Sequence, residues 1–131
     1  MNKRELIELV NDLFKNTEIK VGDGKGRIGS TQFRSMADIC RKAECFDEIK
    51  LLIEYKTAKK NGWEQEIRNH ESCGEVINKT IQKIKDNSEE KNVLKNIISF
   101  FGYLYWKGYA ESRNNYNKND SQKRRGGYNA V

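Results

Sequence analysis

The chain has 131 residues, 36% hydrophobic and 34% charged, with a net charge of +6 and no proline. Leu, Ile, Val and Phe number 29, about 22% of the chain, just above the level of roughly 20% at which a core fails to form. One thin-cored domain is therefore expected, leaning on partners or self-association for part of its burial, with no membrane span because the longest uncharged apolar-rich run, 96–106, falls short of the roughly 20 residues needed.

Residues 2–15 read as an amphipathic helix, with Leu6, Ile7, Leu9, Val10, Leu13 and Phe14 at helical spacing. Asn2 and Glu5 fit a loose capping box. Residues 17–29 read as a loop, because Gly22, Gly24, Gly26 and Gly29 forbid regular helix. Lys20, Lys25 and Arg27 alternate with these glycines, a composition that lets amides and cations approach phosphate.

Ser30 or Thr31 is expected to cap a second helix running to about Cys45. Phe33, Met36, Ile39, Cys40 and Ala43 form its apolar side. Arg34 and Arg41 stand seven apart, two turns along one face, with Asp38 between them and Lys42 alongside. A third helix, capped by Asp47, is expected to reach Lys60, with Ile49, Leu52, Ile53 and Tyr55 inward and a stop at Asn61-Gly62.

From Trp63 to Ile84 apolar positions recur in a 4-3 rhythm that includes His70 and Gly74. The S-x-x-E of Ser72 and Glu75 divides the stretch into a short helix over 63–71 and another over 73–86. Ser88 is expected to cap a last helix to about Arg113, with Val93, Leu94, Ile97, Ile98, Phe101, Leu104 and Tyr105 inward. Phe100, Tyr103, Trp106 and Tyr109 carry aromatics further round it. They read as a protein interface, or equally as the marks of a central bundle helix.

The expected fold is all-α: a compact bundle of about five helices over 1–112, followed by a disordered basic tail over 113–131. The tail has five basic groups against one acid, and residues 15–42 have seven against three. Two basic patches on a nearly neutral body suit contact with a polyanion. Catalytic and metal chemistry are not expected. His70 is the sole histidine, no Cys-x-x-Cys accompanies Cys73, and the glycine loop is no Walker motif. No cofactor is expected either. Lys3, Arg4, Glu5, Glu8 and Asp12 interrupt any leader peptide, and three cysteines fit reduced thiols in a cytoplasm.

The order of features resembles a known family. An amphipathic helix precedes a Gly/Lys-rich loop. Ser30-Thr31-Gln32-Phe33-Arg34 then opens a helix bearing Arg41 and Lys42, and Phe100 to Tyr109 form a closing aromatic helix. Over roughly residues 1–112 this is similar to the small helical subunit of type III-A CRISPR interference complexes. The glycine-rich, aromatic last helix and the tail after Arg113 depart from it. The resemblance implies a non-catalytic subunit whose copies stack along a ribonucleoprotein filament. Its partners would be other subunits, copies of itself, and the backbones of guide and target RNA. It implies RNA contact by Gln32 and Arg34, and local charge adds Lys25, Arg27, Arg41 and Lys42. A helical DNA-binding regulator and a protein-interaction adaptor are the alternatives. The first is disfavoured by Asp47 and Glu48 at the start of its would-be recognition helix.

Overall fold

Asn2 and Glu5 start the first helix as their spacing predicts. In the computed structural model, the Asn2 side chain accepts the Glu5 N–H at 2.9 Å and the Glu5 carboxylate accepts the Asn2 N–H at 3.0 Å. The structure describes the backbone of residues 1–129 and the side chains of residues 1–114. Most of the tail expected over 113–131 therefore lies outside the described side chains.

The expected bundle of five helices is the observed one, with a small hairpin added. The order is α1 (Lys3–Asn16), α2 (Ser30–Cys40), α3 (Phe46–Lys59), β1 (Glu66–Arg68), β2 (Glu71–Ser72), α4 (Cys73–Asp86), a 3-10 turn (Glu90–Asn92) and α5 (Val93–Asn129). Helices α1, α2 and α4 lie against α5, and α3 packs on α4. Leu6, Val10 and Leu13 of α1, Phe33, Met36 and Cys40 of α2, and Ile97, Phe100, Phe101 and Leu104 of α5 share one core. Burial of that apolar surface, at about 25 cal/mol per Å², is the main force holding the helices together.

Over residues 1–112 four helix boundaries differ from the sequence expectation, and α5 runs on to Asn129 rather than ending at about Arg113. Gly29, not Ser30 or Thr31, is the N-cap of α2, in extended backbone, so Ser30 already lies in the first turn. The helix ends at Cys40 rather than Cys45, because the chain tightens there into i to i−3 bonds from Lys42 and Ala43. Cys45 takes the N-cap of α3, leaving Asp47 and Glu48 in the first turn, where the helix dipole favours acids. Ser88 caps nothing. It accepts the Asn96 side-chain N–H at 2.8 Å, and a 3-10 turn precedes α5. Within α3, Tyr55 is 57% exposed rather than core.

The largest correction is at 63–71, which is not a helix. The chain leaves α3 through Lys60, Asn61 and Gly62, all at positive φ, and β1 then pairs antiparallel with β2. Asn69 and His70, at φ 41° and 64°, form the left-handed pair that a two-residue hairpin loop needs. His70 is consequently at an exposed hairpin tip, its Nδ1 3.2 Å from the Glu66 carboxylate, not on an apolar seam. Lys79 and Arg68 hold Glu71 on the second strand, and the Lys79 hydrogen bond lowers its carboxyl below the usual range. Ser72 then caps α4 as expected, accepting the Glu75 N–H at 3.1 Å.

Loop 17–29 is pinned at its base. Val21 and Ile28 are buried and bridged, with the Gly22 N–H on the Ile28 carbonyl at 2.9 Å. Gly62 crosses beneath this base. A Cβ there would lie 2.4 Å from the Arg27 carbonyl oxygen, and its φ of +97° disfavours any side chain. Gly102, by contrast, is within α5 with open space around its Cβ position. Urea unfolding should therefore separate the two: Gly62→Ala loses about 2–4 kcal/mol, whereas Gly102→Ala gains about 0.5–1 kcal/mol.

Candidate nucleic-acid interface

Helical spacing brings Arg34 and Arg41 to one side of α2, and packing sets that side against α5. The two arginines line an open groove of about 340 Å³ with Ile98, Gly102, Tyr103 and Trp106. The Arg34 guanidinium carbon is 5.9 Å from the centroid of the Tyr105 ring, within range for cation–π attraction. Asp38 pairs with Arg41 on the surface. Both side chains are more than half exposed, so this ion pair adds little stability.

Along α5 the aromatics pair among themselves. Tyr103 and Trp106 have centroids 5.7 Å apart, and Tyr105 and Tyr109 6.5 Å apart. Arg113 lies over Tyr109 at 5.7 Å. Two rings, Tyr105 and Tyr109, thus stand in a row between two cations, Arg34 and Arg113. Sequence reasoning found the basic stripe and the aromatic helix but treated them as separate surfaces. The i, i+4 spacing of Tyr105, Tyr109 and Arg113 was the available signal for a continuous row.

Arg27 joins this row at its far end. Its side chain folds back over the loop glycines. With Thr31, Tyr109, Ser112 and Arg113 it lines a second open groove of about 800 Å³. Lys25 is at the exposed loop tip. Lys42 is elsewhere, on a groove of about 600 Å³ between α2 and α3 whose exposed apolar side chains are Ile39, Leu51 and Tyr55. Sequence reasoning did not single out Leu51, which is 66% exposed.

Gln32 uses both ends of its amide within the fold. Its Oε1 accepts the Trp63 indole N–H at 2.9 Å, and its Nε2 donates to the Asn61 carbonyl at 3.1 Å. An indole only donates, so the amide orientation is fixed. Phe100 is likewise withdrawn from any surface. It is fully buried, edge-on to Phe101 at 5.4 Å, while Trp106 and Tyr109 are 68% and 49% exposed and Tyr103 is half-buried. Of the four expected interface aromatics, three remain available.

Among the described residues no three His, Cys, Asp or Glu side chains gather as metal ligands, and no helix is long and apolar enough to cross a membrane. Burial pushes the Cys40 thiol up to about 12. Burial, with the Glu64 charge adding to it, does the same to Cys73. Cys45 is exposed. No protein-family model matches the chain, and no curated protein or solved structure matches it.

The position of Gln32 yields a direct test. Gln32→Ala leaves a buried indole N–H without a partner, a loss of about 1–3 kcal/mol in urea unfolding. Arg34→Ala, at an exposed position, should stay within about 0.5 kcal/mol of the parent in the same assay.

Proposed function

We propose that the chain is a non-catalytic subunit of a cytoplasmic ribonucleoprotein complex. The small helical subunit of type III-A CRISPR interference complexes is the family it resembles. In this reading it holds guide or target RNA by the backbone. The observation that carries the reading is the groove in which Arg34 of α2 and Arg41 at its C-cap face the aromatic side of α5. Arginines placed this way neutralise phosphates without reading bases. Arg27 and Lys25 extend the cationic surface along the loop, and Arg113 extends it along α5.

A complex of stacked copies also needs a surface for protein. The groove of Ile39, Leu51 and Tyr55 is the exposed apolar surface that best suits that role, for a neighbouring subunit or a second copy. The adaptor reading draws on the same groove. Reading of duplex DNA fits less well, because α3 presents Asp47 and Glu48 at its start.

Two measurements test the proposal. Tagged protein purified from its host should carry short RNAs of repeat–spacer type together with larger protein partners. With purified RNA, Arg34→Ala combined with Arg41→Ala should lower affinity evenly across sequences. It should also flatten the salt dependence by between one and two units, about 0.7–0.9 for each phosphate that is no longer neutralised. Protein that emerges free of RNA, with a double variant indistinguishable from the parent, overturns the proposal and leaves the adaptor.

A further inference from the structure

The aromatic row along α5 asks for more than a phosphate track. A surface that only followed a backbone would need cations and hydrogen-bond donors. Here an exposed tryptophan and an exposed tyrosine stand among the arginines. Trp106 is 68% exposed although its neighbours on the same helix, Phe100, Phe101 and Leu104, are fully buried. The core could have taken a smaller or polar residue at that position without loss.

The rings are arranged as open platforms. Tyr103 and Trp106 meet at an interplanar angle of 59°, and Tyr105 and Tyr109 at 56°. Tilted rings do not cover one another's outer faces, and the guanidiniums of Arg34 and Arg113 take up one face each of Tyr105 and Tyr109. Gly102 is beside them with nothing near its Cβ position, so the floor of the groove stays low. Arg34 and Arg113 flank the two ends of the row, at Tyr105 and Tyr109.

We propose that Trp106 and Tyr109, with Tyr103 and Tyr105 behind them, stack on unpaired bases, so that the chain takes single-stranded RNA in preference to duplex. This rests on the RNA-binding reading above and names the form of RNA that the groove accepts. Bases in an A-form duplex are already stacked and present their backbone outward. Their faces reach an aromatic side chain only when the strand is unpaired, whereas phosphates reach an arginine in either form. The flanking arginines supply the charge complementarity that makes a polyanion, rather than an apolar protein surface, the occupant.

The chain contains only two tryptophans, which makes the test direct. Trp63 is fully buried and Trp106 exposed, so RNA-dependent changes in emission report Trp106. The probes are an oligouridine strand and a blunt-ended RNA duplex of equal length. Oligouridine should quench the emission and bind more tightly, and the duplex should do neither. Trp106→Ala and Tyr109→Ala should each weaken oligouridine binding by roughly 5- to 150-fold and leave duplex affinity and its salt slope as they were. Trp106→Phe should keep oligouridine affinity within about twofold while losing the quenching, because phenylalanine still offers a face.

Equal binding of both probes, without quenching and unaffected by either alanine variant, overturns the stacking assignment alone, provided the arginine variants still weaken binding. Failure of both probes to bind in about 0.1 M salt overturns the RNA reading as well. Quenching that grows with protein concentration in the absence of RNA assigns the patch to a second copy and also overturns the inference.

Discussion

The hydrogen bond from the Trp63 indole to the Gln32 amide fixes how the two halves of this bundle meet. Trp63 is fully buried, and its ring meets Phe33 edge-on at 6.0 Å. One side chain of α2 therefore holds the segment that follows α3 by both of its polar ends, at Trp63 and at Asn61. Around this point the backbone closes tightly. The Gln65 side chain acts as a substitute peptide for Lys20, accepting its N–H at 2.9 Å and donating to its carbonyl at 3.2 Å. The Gly74 N–H bonds the Trp63 carbonyl at 2.9 Å, and the Glu18 N–H bonds the Ile67 carbonyl at 2.8 Å. A connector with little regular structure of its own thus sets the start of α2, the base of the glycine loop and the start of α4.

What was legible in the sequence was local. Asn2 with Glu5 and Ser72 with Glu75 act across three residues, so their helices begin where the spacing says. The starts of α2 and α3 depended on which residue the fold leaves extended, Gly29 and Cys45, and no side chain announces that choice. The hairpin was hidden for a related reason. Trp63 and Ile67 are both buried at helical spacing, yet they come from a turn and a strand. The Asn69-His70 loop lacks the glycine that commonly marks a two-residue turn.

The candidate site was legible by halves. The seven-residue interval of Arg34 and Arg41 and the aromatic density of α5 are visible in one dimension. Their confrontation is not, because it arises from the way α2 lies along α5. The same packing decides which aromatics are inside. Phe100 and Trp106 differ little as letters, but one is fully buried in the core and the other is exposed in the groove that Arg34 and Arg41 line. Gln32 shows the opposite hazard. It belongs to the segment that carried the resemblance, yet both ends of its amide are bonded within the fold.

Helix α2 is short, 11 residues, but it borders two unlike surfaces. Phe33, Met36, Ala37 and Cys40 face the core, Arg34 and Arg41 face the aromatic groove, and Ile39 edges the apolar one. The thiols follow the same geometry. Cys40 and Cys73 are buried and stay protonated at any physiological pH, while Cys45 stands exposed ahead of α3. Only thiolates react readily with maleimides and disulfides. The native chain therefore presents a single address for a spin label or dye, built in without any substitution at the N-cap of α3.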